Sequence, residues 1–128
     1  MLTFTIAGTP APQGSKRHVG RGIMVESSKR LPAWREKMHW HLKSKYHGEP
    51  LDLPLEVTAV FYLPRPKRPK FWAPATTPDC DKLQRALGDA LTSAGVIKDD
   101  SRIVTWHATK AWHPTGFTGV HIEIKELK

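Results

Sequence analysis

The segment that decides the fold is PDCDKLQRALGDALTSAG, residues 78–95. Its spacing of apolar residues, every three or four positions, predicts an amphipathic helix over 81–94. The start is signalled either by Pro78 or by Asp81 as part of a capping box, and Gly95 signals the end. The apolar residues on the predicted buried face are Leu83, Ala86, Leu87, Ala90, Leu91 and Ala94.

Extended segments lie on both sides of this helix. Residues 55–63 are rich in β-branched and aromatic side chains, so they predict a buried strand that ends at Pro64. Residues 102–112 and 117–124 both alternate between apolar and polar positions. The turn residues His113–Gly116 between them predict a terminal β-hairpin.

The N-terminal part supplies one more strand and one more helix. Residues 2–6 alternate and predict a strand, and apolar residues at helical spacing predict a helix over 29–46, capped by Ser27 or Ser28. Trp34 and Trp106 are expected in the core. The order is therefore βαβαββ, which indicates an α+β (mixed α/β) fold in two layers, with a mixed sheet of about four strands and two main helices. At 128 residues, we expect a single domain over 1–128.

Composition narrows the class of protein. Twenty Lys and Arg against twelve Asp and Glu give a net charge of +8, which favours a negatively charged partner. The single cysteine, Cys80, excludes an intrachain disulfide, and no segment has the length of a membrane span or the pattern of a signal peptide. We therefore expect an intracellular, cytoplasmic protein without a membrane partner.

Two basic segments are candidates for contact with phosphates. Residues 11–22 combine glycines and prolines with basic side chains and predict a basic loop. Residues 64–78 contain five prolines, so this arm is predicted to be extended, and Phe71 and Trp72 are expected either to contact unstacked bases or to pack in a dimer. If the negatively charged partner is DNA, the residues expected to bind it are Lys16, Arg17, Arg21, Arg65, Lys67, Arg68, Lys70 and Lys82.

The acidic residues have two interpretations. Asp79 and Asp81 are either helix-start acids or, if the chain is extended there, two carboxylates on one side that share a cation. Asp99 and Asp100 are either part of a solvated turn or further ligands of that cation. The chain that follows the helix is too short to run back to its start, so these acids can meet only through tertiary placement or across a dimer.

The order of residues in this region resembles a known family. Residues 78–91 and the segment AGVIKDDSRIV at 94–104 follow the pattern D-x-D-N-L-x-K-A, then D-A-L, then a glycine, an apolar pair and D-D. This pattern resembles the RusA family of endodeoxyribonucleases, and weaker similarity extends to the N-terminal strand with its basic loop and to 61–67. Two positions depart from it, because Lys82 replaces the usual Asn and Arg85 the usual Lys.

The resemblance implies a homodimeric resolvase of phage or prophage type that cuts two opposed strands of branched DNA, the four-way junction. It implies Mg²⁺ as cofactor, with Mn²⁺ able to substitute. By the same resemblance Asp79, Asp81 and Asp100 are the catalytic metal ligands and Asp99 lies beside them. Arg85 is expected either to bind the scissile phosphate or to pair with Asp89, which we place outside the catalytic set.

Other interpretations of the chain remain open at the level of sequence. The departures at Lys82 and Arg85 are also compatible with a non-catalytic DNA-binding protein of the same fold. A less selective nuclease for flaps and other branched DNA is a further alternative. Cys80 is expected to pack away from the metal, because carboxylates rather than thiolates suit Mg²⁺.

Overall fold

The computed structural model describes residues 1–14, 16–18, 24–26 and 29–128, with side chains for 1–14 and 29–128. It is a mixed sheet of four strands with two helices packed on it, which confirms the expected fold class. A separate two-stranded ladder pairs residues 16–18 with 24–26, so the first of these strands lies within the predicted basic loop, residues 11–22. The elements are β1 (Leu2–Ala7), β2 (Lys16–His18), β3 (Met24–Glu26), α1 (Leu31–Lys45), β4 (Leu55–Tyr62), α2 (Cys80–Ser93), β5 (Ile103–Ala111) and β6 (Gly119–Glu126).

The strand order in the main sheet is β1-β6-β4-β5, with β5 parallel to β4 and β6 antiparallel to both β1 and β4. The predicted terminal hairpin is therefore wrong, because β4 lies between β5 and β6. The connecting residues 112–118 instead cross the end of β4. There the Tyr62 ring makes edge-to-face contacts with His113 and Phe117, with ring centroids 5.0 and 5.9 Å apart.

β4 lies between β6 and β5 in the sheet, and every second residue along it is fully buried. This alternation turns one face of the strand towards both helices, and burial of these side chains is the main stabilising contribution. Trp34 on α1 is 2% exposed, as expected, whereas Trp106 on β5 is only partly buried. The fully buried residues that β4 and α2 contribute to the core are Leu55, Val57, Ala59, Phe61, Leu83, Ala86, Leu87 and Leu91.

The start of each helix differs from the predicted cap. Arg30 is the N-cap of α1 without a side-chain cap, and Ser27 and Ser28 lie outside the described residues. The N-cap of α2 is Asp79, so the capping box predicted to start at Asp81 is not formed. The first two turns of each helix are instead held by burial of the apolar face.

The end of α2 follows the prediction. Gly95 has φ +76°, and its N–H donates to the Thr92 carbonyl oxygen at 3.1 Å. The Val96 N–H donates to the Leu91 carbonyl oxygen at 3.0 Å, which completes a Schellman-type stop. This reversal sends the chain back along α2 towards β5.

The proline-rich arm, residues 64–78, contains neither helix nor strand, as predicted. Both of its ends are fixed to β5. The Leu63 N–H donates to the Ala111 carbonyl oxygen at 2.9 Å, and Lys110 Nζ donates to the carbonyl oxygens of Thr76 and Pro78 at 2.6 and 2.9 Å. Among the described helices, none is long and apolar enough to cross a membrane.

Candidate active site

Asp79 and Asp81 lie at the N-terminus of α2, Asp79 as the N-cap and Asp81 in the first turn. Asp79 has extended backbone angles, but Cys80 already belongs to the helix, so the two-residue alternation of a strand does not continue to Asp81. The Asp79 carboxylate lies 3.4 Å from the Lys82 ammonium, which neutralises it. Of the two interpretations, the structure therefore shows Asp79 and Asp81 as helix-start acids, and the extended segment that would place both on one side is not formed.

Asp81 faces a concave cleft along one side of α2. The helix contributes positions separated by three or four residues, and these positions share one face of an α-helix. The opposite wall comes from Asp100 in the short 3-10 turn Asp100–Arg102 and from Trp106 on β5. The cleft has a volume of about 220 Å³, and the residues that line it are Asp81, Gln84, Arg85, Gly88, Asp100 and Trp106.

The reversal at Gly95 delivers Asp100 to the middle of α2. A methyl group added at Gly88 would lie 3.5 Å from Asp100 Cβ and 3.8 Å from a ring carbon of Trp106. Gly88 is seven residues from Asp81, about 10 Å along the helix axis. The chain thus stops short of the helix start, as the sequence indicated, and tertiary placement makes Asp81 and Asp100 line the same cleft.

Asp99 has a different role from its neighbour. It is the N-cap of the 3-10 turn, and its carboxylate accepts a hydrogen bond from the Ser101 N–H at 2.9 Å. Hydrogen bonds from the hydroxyl and the N–H of Ser101 lower the pKa of Asp99 below its usual range. The structure gives Asp99 the position of a cap rather than of a residue lining the cleft.

Arg85 does not form the surface pair with Asp89 that was one of its two interpretations. Asp89 instead accepts a short hydrogen bond from Gln13 Nε2 and lies 4.0 Å from Arg35 on α1. Arg85 points to the cleft and packs against Gly14, where a Cβ atom would come within 2.5 Å of Nη1. Arg85 therefore lines the same cleft as Asp81 and Asp100, and its guanidinium has the N–H donors that a phosphate-binding role requires.

Sequence reasoning missed three residues of the cleft. Trp106 was expected in the core but forms a wall of the cleft, and Gln84 and Gly88 were not singled out as site residues. Helical spacing from Asp81 would have found Gln84 and Gly88, which follow it by three and seven positions. No comparable signal marks Trp106, because the parallel pairing of β5 with β4 is what brings it to α2.

The basic residues expected to bind DNA lie partly outside the described residues. Arg21 is outside them, and for Lys16 and Arg17 only the backbone in β2 is described. On the proline-rich arm the Arg65 guanidinium lies 5.2 Å from the centre of the Trp112 ring. Lys67, Arg68 and Lys70 are exposed.

The donor set of the cleft suits a hard cation. Magnesium is usually held by one or two carboxylates together with water and substrate phosphates, and Asp81 and Asp100 supply two exposed carboxylates in one cleft. Among residues 1–14 and 29–128, no group of three or more Asp, Glu, His or Cys side chains is arranged to hold a metal ion. The residues therefore fit a hydrated ion that also contacts substrate, rather than an ion enclosed by protein.

Cys80 provides a first testable prediction. Burial raises the pKa of its thiol, Lys110 opposes that rise and Asp81 adds to it. We expect alkylation by iodoacetamide to reach half its maximal rate at a higher pH than for a free thiol, because only the thiolate reacts. Unfolding returns the pKa of Cys80 to its ordinary value. The contribution of this thiol to the free energy of unfolding is therefore fully present below the unfolded pKa and is lost as pH rises through the folded pKa. Alkylation at the pH of a free thiol would contradict this assignment.

Comparison with known proteins shows the family of the chain. A sequence model of the family described as Endodeoxyribonuclease RusA matches residues 7–125. The chain belongs to the RusA family of endodeoxyribonucleases, enzymes that hydrolyse phosphodiester bonds within DNA. It is similar to the Crossover junction endodeoxyribonuclease RusA of Aquifex aeolicus (strain VF5), with 27% identity over 128 residues that cover 99% of this chain and 93% of the relative.

Proposed function

We propose that this protein is a Mg²⁺-dependent, structure-selective endonuclease that resolves four-way DNA junctions by paired hydrolysis of phosphodiester bonds. The observation that carries the proposal is the cleft that Asp81, Asp100 and Arg85 line, on a chain of an endodeoxyribonuclease family. Junction specificity is supported by the name of the Aquifex aeolicus relative. Mn²⁺ is proposed to replace Mg²⁺, since both prefer oxygen ligands.

Each side chain of the cleft has its own proposed role in phosphodiester hydrolysis. Asp81 and Asp100 hold the cation, whose chemistry is to activate water and to neutralise charge on the phosphate. Arg85 presents a planar fork of N–H donors to the phosphate oxygens. Gly88 keeps the floor of the cleft free of side-chain atoms, and Trp106 closes one wall. Asp79 is proposed as a further metal ligand on condition that Lys82 releases it, and Asp99 as the cap that holds the turn carrying Asp100.

Paired cutting requires two active sites. Among the described residues of one copy, the cleft at α2 supplies two carboxylates, so the proposed unit is a homodimer in which each copy of the domain, residues 1–128, cuts one of two opposed strands. A closed two-fold dimer matches the two-fold symmetry of a four-way junction.

The test is cleavage of an end-labelled four-way junction beside a linear duplex of the same sequence, with Mg²⁺ and with EDTA. We expect symmetric nicks in the junction alone, and only with Mg²⁺. Equal cleavage of junction and duplex would instead support the less selective nuclease, and flap substrates in the same assay would define its range.

One observation favours the non-catalytic alternative. The Lys82 ammonium forms an ion pair with the Asp79 carboxylate at 3.4 Å. One of the three acids implied by the family resemblance therefore already has a cationic partner. Junction binding without cleavage in Mg²⁺ or Mn²⁺ would establish that alternative. The variant Lys82→Asn, which frees Asp79, would then be the first attempt to restore cleavage.

The salt dependence of binding is a prediction from the charge. If about six phosphates are neutralised, junction affinity should fall by about a thousandfold between 50 and 200 mM salt, because condensed counterions are released on binding. Fluorescence anisotropy of a labelled junction over that range measures the slope. An affinity that changes less than about tenfold would contradict binding through the basic segments.

A further inference from the structure

The proline-rich arm encloses a second cavity, distinct from the cleft. It has a volume of about 320 Å³, at the lower end of the range of about 300–1,000 Å³ for small-molecule sites. Leu63, Phe71 and Trp112 give it apolar and aromatic surface, and several prolines of the arm complete the wall. Its size suits a single planar ring with its sugar rather than a longer segment of DNA.

The charge of this cavity is uniformly positive. Arg30, Arg68 and Lys70 line it, and none of the described residues around it is acidic. The Arg65 guanidinium over Trp112 and the Lys70 ammonium, 5.5 Å from the centre of the Phe71 ring, add cations next to its aromatic surfaces. An aromatic platform with surrounding cations is the combination that binds one base together with its phosphate.

The wall of the cavity is fixed next to the cleft. The two hydrogen bonds from Lys110 hold the carbonyl groups of Thr76 and Pro78 to β5, and Thr76–Pro78 form part of the wall. Asp81 follows Pro78 by three positions, a reach of at most about 11 Å. The wall of the cavity and the lining of the cleft are therefore adjacent at the start of α2.

We propose that this cavity binds one unstacked nucleotide of the DNA strand, adjacent to the phosphate that is cut. The proposal rests on the proposed function, since it assumes that branched DNA occupies the cleft. It gives the arm a role beyond charge neutralisation, because bases near a branch point are the ones least costly to unstack. The nucleotide held there would set the position of the cut.

Neighbouring residues of the arm provide matched variants. Phe71 lines the cavity and is 44% exposed, whereas Trp72 is 95% exposed and does not line it. Likewise Arg68 lines the cavity and Lys67 does not, although both are exposed cations. All four side chains are exposed, so alanine variants should fold, and circular dichroism checks this directly.

The experiment measures affinity for an intact junction and for junctions in which one nucleotide flanking the crossover is abasic, each position in turn, without divalent metal. For the intact junction we expect Phe71→Ala to bind about tenfold more weakly than wild type. At one abasic position that difference should vanish, since the base that contacts Phe71 is gone. The affinity of Trp72→Ala should differ from that of wild type by the same factor on every substrate. Arg68→Ala should weaken binding of the intact junction more than Lys67→Ala does.

The outcomes separate the two proposals. A Phe71→Ala defect that persists at every abasic position, or a defect equal to that of Trp72→Ala, overturns the nucleotide site. Because the readout is binding, this holds whether or not the protein cuts. Absence of cleavage in Mg²⁺ with the coupling to one base intact would overturn the nuclease function and leave the nucleotide site standing.

Discussion

Replacing Asp100 by Asn is expected to reduce junction cleavage by about a thousandfold in Mg²⁺, while Asp99→Asn retains cleavage within about tenfold of wild type. Asp100 lines the cleft opposite Asp81, and loss of a metal-binding carboxylate removes several kcal/mol of charge stabilisation in the transition state. Asp99 caps the 3-10 turn, a role that Asn also fills. Single-turnover cleavage of the end-labelled junction measures both variants, and Asp81→Asn should behave like Asp100→Asn.

Thermal unfolding separates a metal defect from a folding defect. With Mg²⁺ at ten times its Kd, we expect the Tm of wild type to rise by about 5 °C, because the ion binds only the folded state. Asp81→Asn and Asp100→Asn should lose this rise, and Asp99→Asn should keep it. If Asp99→Asn lost cleavage and the Mg²⁺ response to the same degree as Asp100→Asn, the assignment of Asp99 as a cap would be wrong.

The helices and strands were predictable because each has a regular pattern of burial. α2 shows apolar residues at helical spacing together with a glycine stop, and β4 shows alternate burial on a β-branched background. Strand pairing was not predictable to the same extent. The turn residues His113–Gly116 suit a hairpin, but β4 is the more apolar strand and takes the central place next to β6, which leaves β5 at the edge.

The candidate site was predictable in its residue types rather than in its geometry. The sequence placed Asp81, Asp100 and Arg85 together by resemblance, and the structure brings these three to one cleft. It does not bring Asp79 to that cleft, because the helix begins one residue earlier than an extended Asp79–Asp81 segment would need. The chain that leads into α2 is held by tertiary contacts, such as those of Lys110 with the arm, which a local sequence pattern does not predict.

Arg85→Ala is expected to reduce junction cleavage by about a hundredfold, with a smaller loss of junction affinity. The cost of removing one donor that stabilises transition-state charge is about 10²–10³ in rate. Arg85→Lys should recover cleavage to within about tenfold of wild type, since an ammonium keeps the charge but not the planar fork. Arg35→Ala is the matched control, because it removes the same charge from α1, where Arg35 lies 4.0 Å from Asp89.

Gly14→Ala tests the same guanidinium without changing it. Gly14 has φ +98°, and an alanine Cβ there would come within 2.5 Å of Arg85 Nη1, so the side chain of Arg85 must move. We expect cleavage to fall by about tenfold while the Mg²⁺-induced rise in Tm is kept, because the carboxylates are untouched. Equal cleavage by Arg85→Ala and Arg35→Ala would show that Arg85 contributes only net charge. In that case Gly14→Ala should also have no effect on the rate of cleavage. A cation other than Arg85 would then be the donor that binds the phosphate.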